Sequence, residues 1–177
     1  LRGRPGAFAK LGFRGVADPR RAESILAAAV DAAERTDPGL AIVAVAYADA
    51  RRAGSPPLET APTIAVRARA AGILLDTALK DRGSIFDLCS PSRIAALVKE
   101  AHWAGLFVAL AGSLDERDLD RAAALGVDIV GVRGAACEGG RAGRVSEARV
   151  RRLAERLRLA TGPGPVHAAP TPLIPQF

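Results

Sequence analysis

Short apolar runs alternate along the chain with longer stretches in which apolar residues recur every three or four positions. A continuous apolar run is typical of a buried strand, whereas recurrence at helical spacing predicts an amphipathic helix. The runs predict five strands, at about 7–13, 40–46, 72–75, 106–111 and 127–132. The amphipathic stretches predict five helices, at about 18–34, 57–71, 90–104, 116–125 and 146–159. Two of these helices open with Asp18-Pro19 and Ser90-Pro91, a capping residue followed by proline, which favours a helix start.

Five apolar strands, each followed by a helix, predict an α/β fold with parallel strands. Two architectures fit this order: an open doubly wound sheet, or part of a (β/α)8 TIM barrel. Polar residues follow several different strands, which favours the barrel, because an open sheet concentrates its site at one switch point. A whole barrel takes roughly 250 residues, so we expect an incomplete barrel with the last five βα units. Residues 1–160 are assigned to this partial barrel and 161–177 to a proline-rich, flexible tail.

Composition narrows the class of partner. The chain has 177 residues, a formal net charge of +6 and 4% aromatic residues. A cationic protein favours an anionic partner, and a small phosphorylated substrate fits better than nucleic acid, because few aromatic rings are available to stack on bases. No apolar run reaches the ~18 residues of a membrane span. Two cysteines without a spacing motif indicate a cytoplasmic protein, and two isolated histidines predict no metal site.

The segment that follows the third strand carries the most distinctive candidate chemistry. A buried aliphatic strand ends at Asp76, and Lys80 follows four residues later. A desolvated lysine serves as a nucleophile or as an acid or base, whereas a neighbouring carboxylate favours its charged form. The sequence therefore leaves two interpretations, a catalytic pair or a structural salt bridge at the end of the strand.

Lys10 lies within the first apolar run, where a buried lysine is costly unless it is paired or used. Strand alternation places it on one face with Phe8 and Gly12, and the glycine leaves room beside it. The alternative is an edge strand that exposes Lys10 to water.

The fourth and fifth strands end in glycine-containing segments. Gly112-Ser113 follows the fourth strand and Arg133-Gly134-Ala135 follows the fifth. Glycines allow backbone N–H groups to approach an anion, and the last two strands of a barrel carry its usual phosphate site. The loop around Gly139-Gly140-Arg141 is a candidate to fold over a phosphate. Ordinary turn glycines are the alternative.

Four segments, in this order, resemble the (5-formylfuran-3-yl)methyl phosphate synthase family. They are Ala46-Tyr47-Ala48-Asp49-Ala50, the segment from Leu75 to Asp81, Ala109-Leu110-Ala111-Gly112-Ser113 and the segment from Asp128 to Cys137. The resemblance runs from about Phe8 to Leu157. It implies a TIM barrel and an aldolase-like lyase that joins two glyceraldehyde 3-phosphate molecules, without a cofactor. The product is the furan precursor of methanofuran in methanogens and of methylofuran in methylotrophic, one-carbon-metabolising bacteria.

The same resemblance implies roles for particular residues. Lys10 takes a proton, and Asp76 and Lys80 are catalytic. The phosphate- and substrate-binding positions are Asp49, Gly112, Ser113, Arg133, Gly134 and Ala135.

The chain also departs from the family pattern. The family forms its Schiff base on a lysine in an early strand, in an Asp-Val-Lys-Asn-Pro type of motif with no counterpart here, and an aspartate that the family tends to carry before Arg141 is replaced by glycine. The chain contains no methionine, so we expect a natural start upstream of Leu1, and we expect the 177-residue chain alone not to make the furan phosphate. Two alternative functions remain: a non-catalytic phosphate-binding fragment, or a class I aldolase that uses Lys80 as its Schiff-base amine. A second copy of the chain, in a homo-oligomer, is a further partner hypothesis.

Overall fold

The computed structural model describes residues 7–81 and 83–161. Its main element is a sheet of five parallel strands whose spatial order equals their order in the chain. The strands are β1 (Ala7–Gly12), β2 (Leu40–Tyr47), β3 (Gly72–Asp76), β4 (Phe107–Leu110) and β5 (Ile129–Val130). The predicted tail began at Thr161, which is the last residue of the final helix, and residues 162–177 lie outside the described residues.

Helices connect successive strands and follow the last one. The longer helices are α1 (Pro19–Thr36), α3 (Ala61–Arg67), α5 (Pro91–Trp103), α6 (Asp118–Ala124) and α7 (Glu147–Thr161), and two single-turn helices are α2 (Ala50–Ala53) and α4 (Ile85–Leu88). The Asp18 side chain accepts a hydrogen bond from the Arg20 amide, and the Ser90 side chain accepts one from the Arg93 amide. Both predicted cap-and-proline starts are therefore confirmed.

Strand order decides between the two architectures. Each new strand is added on the same side of the previous one, whereas a doubly wound sheet reverses direction at a switch point. The main core lies between one face of the sheet and the helices, and includes Leu26, Ile73 and Ile94. The opposite face carries a smaller apolar cluster around Val45, Leu74 and Phe107. This arrangement is an α/β fold of the (β/α) barrel type with five βα units, as predicted.

The structure corrects several local boundaries. The predicted helix at 57–71 is a 3-10 turn (Leu58–Thr60) followed by α3, because Pro62 lacks an N–H and fits only the first turn of a helix. Strand β5 has two residues rather than six. A short antiparallel ribbon of β6 (Cys137–Glu138) and β7 (Arg144–Val145) was not predicted, because strands of two residues leave no periodic signal.

Lys10 lies on β1, an edge strand of the described sheet, and its side chain is exposed, as the edge-strand alternative expected. Its catalytic role stays a prediction. Phe8, Lys10 and Gly12 alternate with Ala9 and Leu11, which pack against the main core. The Lys10 side chain therefore lies on the face away from the helices, as the alternation predicted. None of the helices in the described ranges is both long enough and apolar enough to cross a membrane.

Candidate active site

An open cavity of about 430 Å³ lies at the carboxyl ends of the five strands. Each strand or the loop after it contributes to the lining. Lys10, Asp76, Lys80, Gly112 and Arg133, which the strand ends predicted to converge, all line this cavity. Their convergence is confirmed, and their roles remain predictions. The remaining lining residues are Arg14, Tyr47, Thr77, Ala78, Ala111, Ser113, Leu114, Gly131, Val132, Gly134 and Arg141.

Lys80 and Asp76 form a close ion pair at the end of β3. The Lys80 Nζ donates to Asp76 Oδ1 at 2.8 Å, to the Thr77 Oγ1 at 3.0 Å and to the Thr77 carbonyl oxygen. The same Asp76 oxygen accepts the Thr77 amide at 2.7 Å. Three acceptors match the three N–H donors of an ammonium group. The geometry therefore holds Lys80 as an oriented hydrogen-bond donor.

The Asp49 side chain binds the backbone of the segment that follows β3. Its two carboxylate oxygens accept the backbone amides of Ala78 and Leu79, at 2.7 and 2.8 Å. The side chain is buried and is absent from the cavity lining. Because both oxygens are engaged with backbone amides, the geometry gives Asp49 a positioning role rather than the direct contact with substrate expected from the sequence.

The loop after β4 approaches its neighbours closely. Gly112 has φ +106°, and a Cβ atom there would lie 2.9 Å from Ile85 and 3.1 Å from Thr77. Only glycine avoids both the strain and the contact at this position. Ser113 follows with φ +54°, so the chain turns sharply at the cavity wall.

The loop after β5 provides two arginines. Arg133 precedes a 3-10 turn (Gly134–Ala136), and Arg141 lies in a second one (Gly140–Ala142), between β6 and β7. The ribbon therefore returns Arg141 to the cavity. Ala135 does not line the cavity, because it packs against an apolar cluster that includes Leu153. The structure therefore does not place Ala135 in the cavity lining, where the resemblance implied contact with phosphate.

Cations dominate the charge of the cavity. Among the described residues of the lining, five side chains are basic and Asp76 is the one carboxylate. Lys10, Arg14, Arg133 and Arg141 form no side-chain ion pair or hydrogen bond with any described residue. A cavity with unpaired cations is suited to an anionic ligand. Sequence reasoning missed Arg14, although a basic residue two positions after a strand was a usable signal.

The described residues include no group of three or more His, Cys, Asp and Glu side chains arranged to hold a metal ion. Cys89 and Cys137 are buried free thiols, and burial raises the pKa of the Cys89 thiol. His102 lies away from the cavity, where its Nε2 is 2.8 Å from a carboxylate oxygen of Asp128.

Fold and cavity together define a (β/α) barrel-type protein with a cationic site at the carboxyl ends of its strands. Residues 6–154 match the family model described as 4-HFC-P synthase, and the chain belongs to this family. The match covers all five strands and every residue assigned to the site.

Curated relatives agree with this assignment. The chain is 42% identical over 140 residues to a putative (5-formylfuran-3-yl)methyl phosphate synthase of Kitasatospora aureofaciens, covering 78% of this chain and 56% of the relative. It is 44% identical to one of Streptomyces griseus, covering 75% and 53%. It is 40% identical to the (5-formylfuran-3-yl)methyl phosphate synthase of Methanopyrus kandleri, covering 85% and 64%. The matched region thus spans between about half and two thirds of the length of these relatives.

Proposed function

We propose that this chain supplies the phosphate-binding and proton-transfer groups of a site that joins two glyceraldehyde 3-phosphate molecules into (5-formylfuran-3-yl)methyl phosphate. One observation carries the proposal: four cations that pair with no described residue line the same cavity as the oriented Lys80–Asp76 pair. The names of the curated relatives supply the product. In a cell, the product would serve as a precursor of a methanofuran-type cofactor, made in the cytoplasm.

The reaction explains why the site carries so much positive charge. Atom balance converts two glyceraldehyde 3-phosphate molecules into one furan phosphate, one inorganic phosphate and two waters. Two phosphate groups therefore enter together, and one of them leaves. The planar guanidinium group of arginine can donate two hydrogen bonds to phosphate oxygens at once. Arg133 and Arg141 lie in the segment after the fifth strand, in the region where a barrel usually binds phosphate.

The same balance makes the reaction a lyase, because water and phosphate leave by breaking carbon–oxygen bonds. Each departing oxygen needs a proton. Lys80, held as an ammonium by Asp76 and Thr77, is suited to donate one. Lys10 has no partner among the described residues, and in its neutral amine form it accepts a proton from substrate carbon.

The geometry also bears on the alternative in which Lys80 is the Schiff-base amine. A nucleophilic amine needs a free lone pair, whereas Lys80 directs its N–H groups at three acceptors. Borohydride reduction with glyceraldehyde 3-phosphate, followed by peptide mass analysis, is expected to leave Lys80 unmodified. An adduct on Lys80 would favour the class I aldolase alternative.

Binding tests the proposal directly. Calorimetry is expected to show glyceraldehyde 3-phosphate binding that inorganic phosphate competes away. Arg133→Ala is expected to weaken this binding about 10-fold or more, since a charge-assisted hydrogen bond contributes roughly 1.5–3 kcal/mol. Arg158→Ala is the matched control, because Arg158 is an exposed arginine on α7 that is not part of the cavity lining. No binding, or equal losses in both variants, would contradict the proposal.

A further inference from the structure

Tyr47 lines the cavity, and the proposed chemistry leaves this side chain unused. It is the last residue of β2, and its Cα is paired with that of Asp76 on β3. Aligned residues of parallel neighbours lie on the same face of the sheet. The Tyr47 side chain therefore points to the face that carries Asp76, and it lines the cavity.

Gly12 on β1 makes room for the phenol. A Cβ atom on Gly12 would lie 2.2 Å from the Tyr47 hydroxyl oxygen and 3.2 Å from Cζ. The ring therefore reaches across the edge strand, over the residue two positions after Lys10. The φ angle of Gly12 is not in the left-handed region. Glycine is therefore required at this position by the close approach of the Tyr47 ring and not by the backbone conformation.

The hydroxyl is available to a ligand. It makes no hydrogen bond to any described residue, although the side chain is half-buried. A buried phenol usually finds a hydrogen-bond partner for its O–H. The Tyr47 hydroxyl therefore has its donor and its acceptor positions open toward the cavity.

The surroundings keep this group protonated. Burial is the main reason that the pKa of Tyr47 lies above its ordinary value, and the Asp76 carboxylate raises it further. The Arg14 guanidinium lowers the pKa, and Asp49 adds a smaller rise. At neutral pH the side chain is a neutral phenol that can donate a hydrogen bond.

We propose that Tyr47 is a further catalytic residue of this site, whose hydroxyl donates a hydrogen bond to the carbonyl oxygen of the bound triose phosphate. The inference rests on the proposed function, because it requires that a triose phosphate occupies the cavity. Three observations support the inference: the phenol ring lies over Gly12, Tyr47 is aligned with Asp76 on the next strand, and the hydroxyl makes no hydrogen bond to a described residue. Donors aimed at an oxygen that gains negative charge stabilise the transition state of proton removal from the adjacent carbon.

The test compares two ligands in two variants. Tyr47→Phe keeps the ring over Gly12 and removes the hydroxyl, and Gly12→Ala keeps the hydroxyl and displaces it. Both variants are expected to raise the dissociation constant of glyceraldehyde 3-phosphate about 3- to 10-fold, the effect of one hydrogen bond. The dissociation constant of inorganic phosphate is expected to change less than about 2-fold on the same scale.

A spectroscopic measurement reports the contact itself. Tyr47 is the only tyrosine of the chain, so tyrosine labelled with 13C at Cζ yields a single NMR signal, which Tyr47→Phe removes. Glyceraldehyde 3-phosphate is expected to shift this signal along its binding isotherm, and inorganic phosphate is expected to leave it nearly unchanged.

The outcomes separate this inference from the proposed function. If wild-type protein binds glyceraldehyde 3-phosphate and Tyr47→Phe binds it equally well, the inference is overturned and the proposed function stands. If Tyr47→Phe weakens the binding of both ligands equally, the phenol shapes the phosphate site, and the inference is again overturned. If wild-type protein binds neither ligand, both proposals fall.

Discussion

Lys80 shows how the immediate neighbours of one side chain define its chemistry. Its Nζ is held by a carboxylate, a hydroxyl and a carbonyl oxygen, whereas Lys10 has no such partners among the described residues. A nitrogen that donates three N–H bonds to acceptors has no lone pair left to attack an electrophile. We therefore expect Lys80 to react with acetic anhydride more slowly than Lys10, as measured by peptide mass analysis.

Asp76→Asn separates this effect from simple exposure. The substitution keeps the size of residue 76 and removes the charged acceptor, so it is expected to speed acetylation of Lys80 while the rate at Lys10 stays constant. An unchanged rate at Lys80 would mean that burial, not the ion pair, protects the amine.

At the scale of elements, the segment that carries the pair depends on a contact between two strand ends. Asp49, after β2, receives the amides of Ala78 and Leu79, after β3. Asp49→Asn replaces one acceptor oxygen by an NH2 group and leaves one buried amide without its acceptor. We expect a loss of about 1–3 kcal/mol in the free energy of unfolding, measured with urea, because a buried unsatisfied group costs that much.

Asp37→Asn is the matched control for this prediction. It makes the same chemical change at a carboxylate that has no side-chain ion pair or hydrogen bond to a described residue, and it is expected to change the free energy of unfolding by less than about 0.5 kcal/mol. The two variants are predicted to differ also in ligand binding. Of the two variants, only Asp49→Asn is expected to weaken the binding of glyceraldehyde 3-phosphate, since Lys80 follows the segment that loses its acceptor.

At the scale of the whole molecule, the sheet of the described residues has two unpaired edges, β1 and β5. Exposed edges are templates for pairing with another chain, and Phe8 and Ile129 add exposed apolar surface beside them, at 43% and 42% exposure. We expect the protein to self-associate as its concentration rises, with sedimentation velocity as the measurement. Ile129→Lys, a charge on an edge strand, is expected to reduce this association. A monomer at every concentration would contradict the prediction.

The sequence by itself determined the alternation of strands and helices, the barrel type and the ends of strands at which the site forms. These features depend on local patterns: apolar runs, helical periodicity, and caps such as Ser90 followed by Pro91. The placement of Lys10 and Asp76 in one cavity also followed from the sequence, because parallel strands bring their carboxyl ends to one edge of the sheet.

Only the tertiary structure decided how particular side chains are used. Asp49 binds amides 29 and 30 residues away, and Tyr47 extends over Gly12 on another strand. The sequence marked the loop of Arg141 as a candidate, but the two-stranded ribbon that brings Arg141 to the cavity left no periodic signal. These contacts depend on register, loop path and rotamer, which join residues distant in the chain. Local pattern therefore located the site, and long-range packing determined which atoms face the ligand.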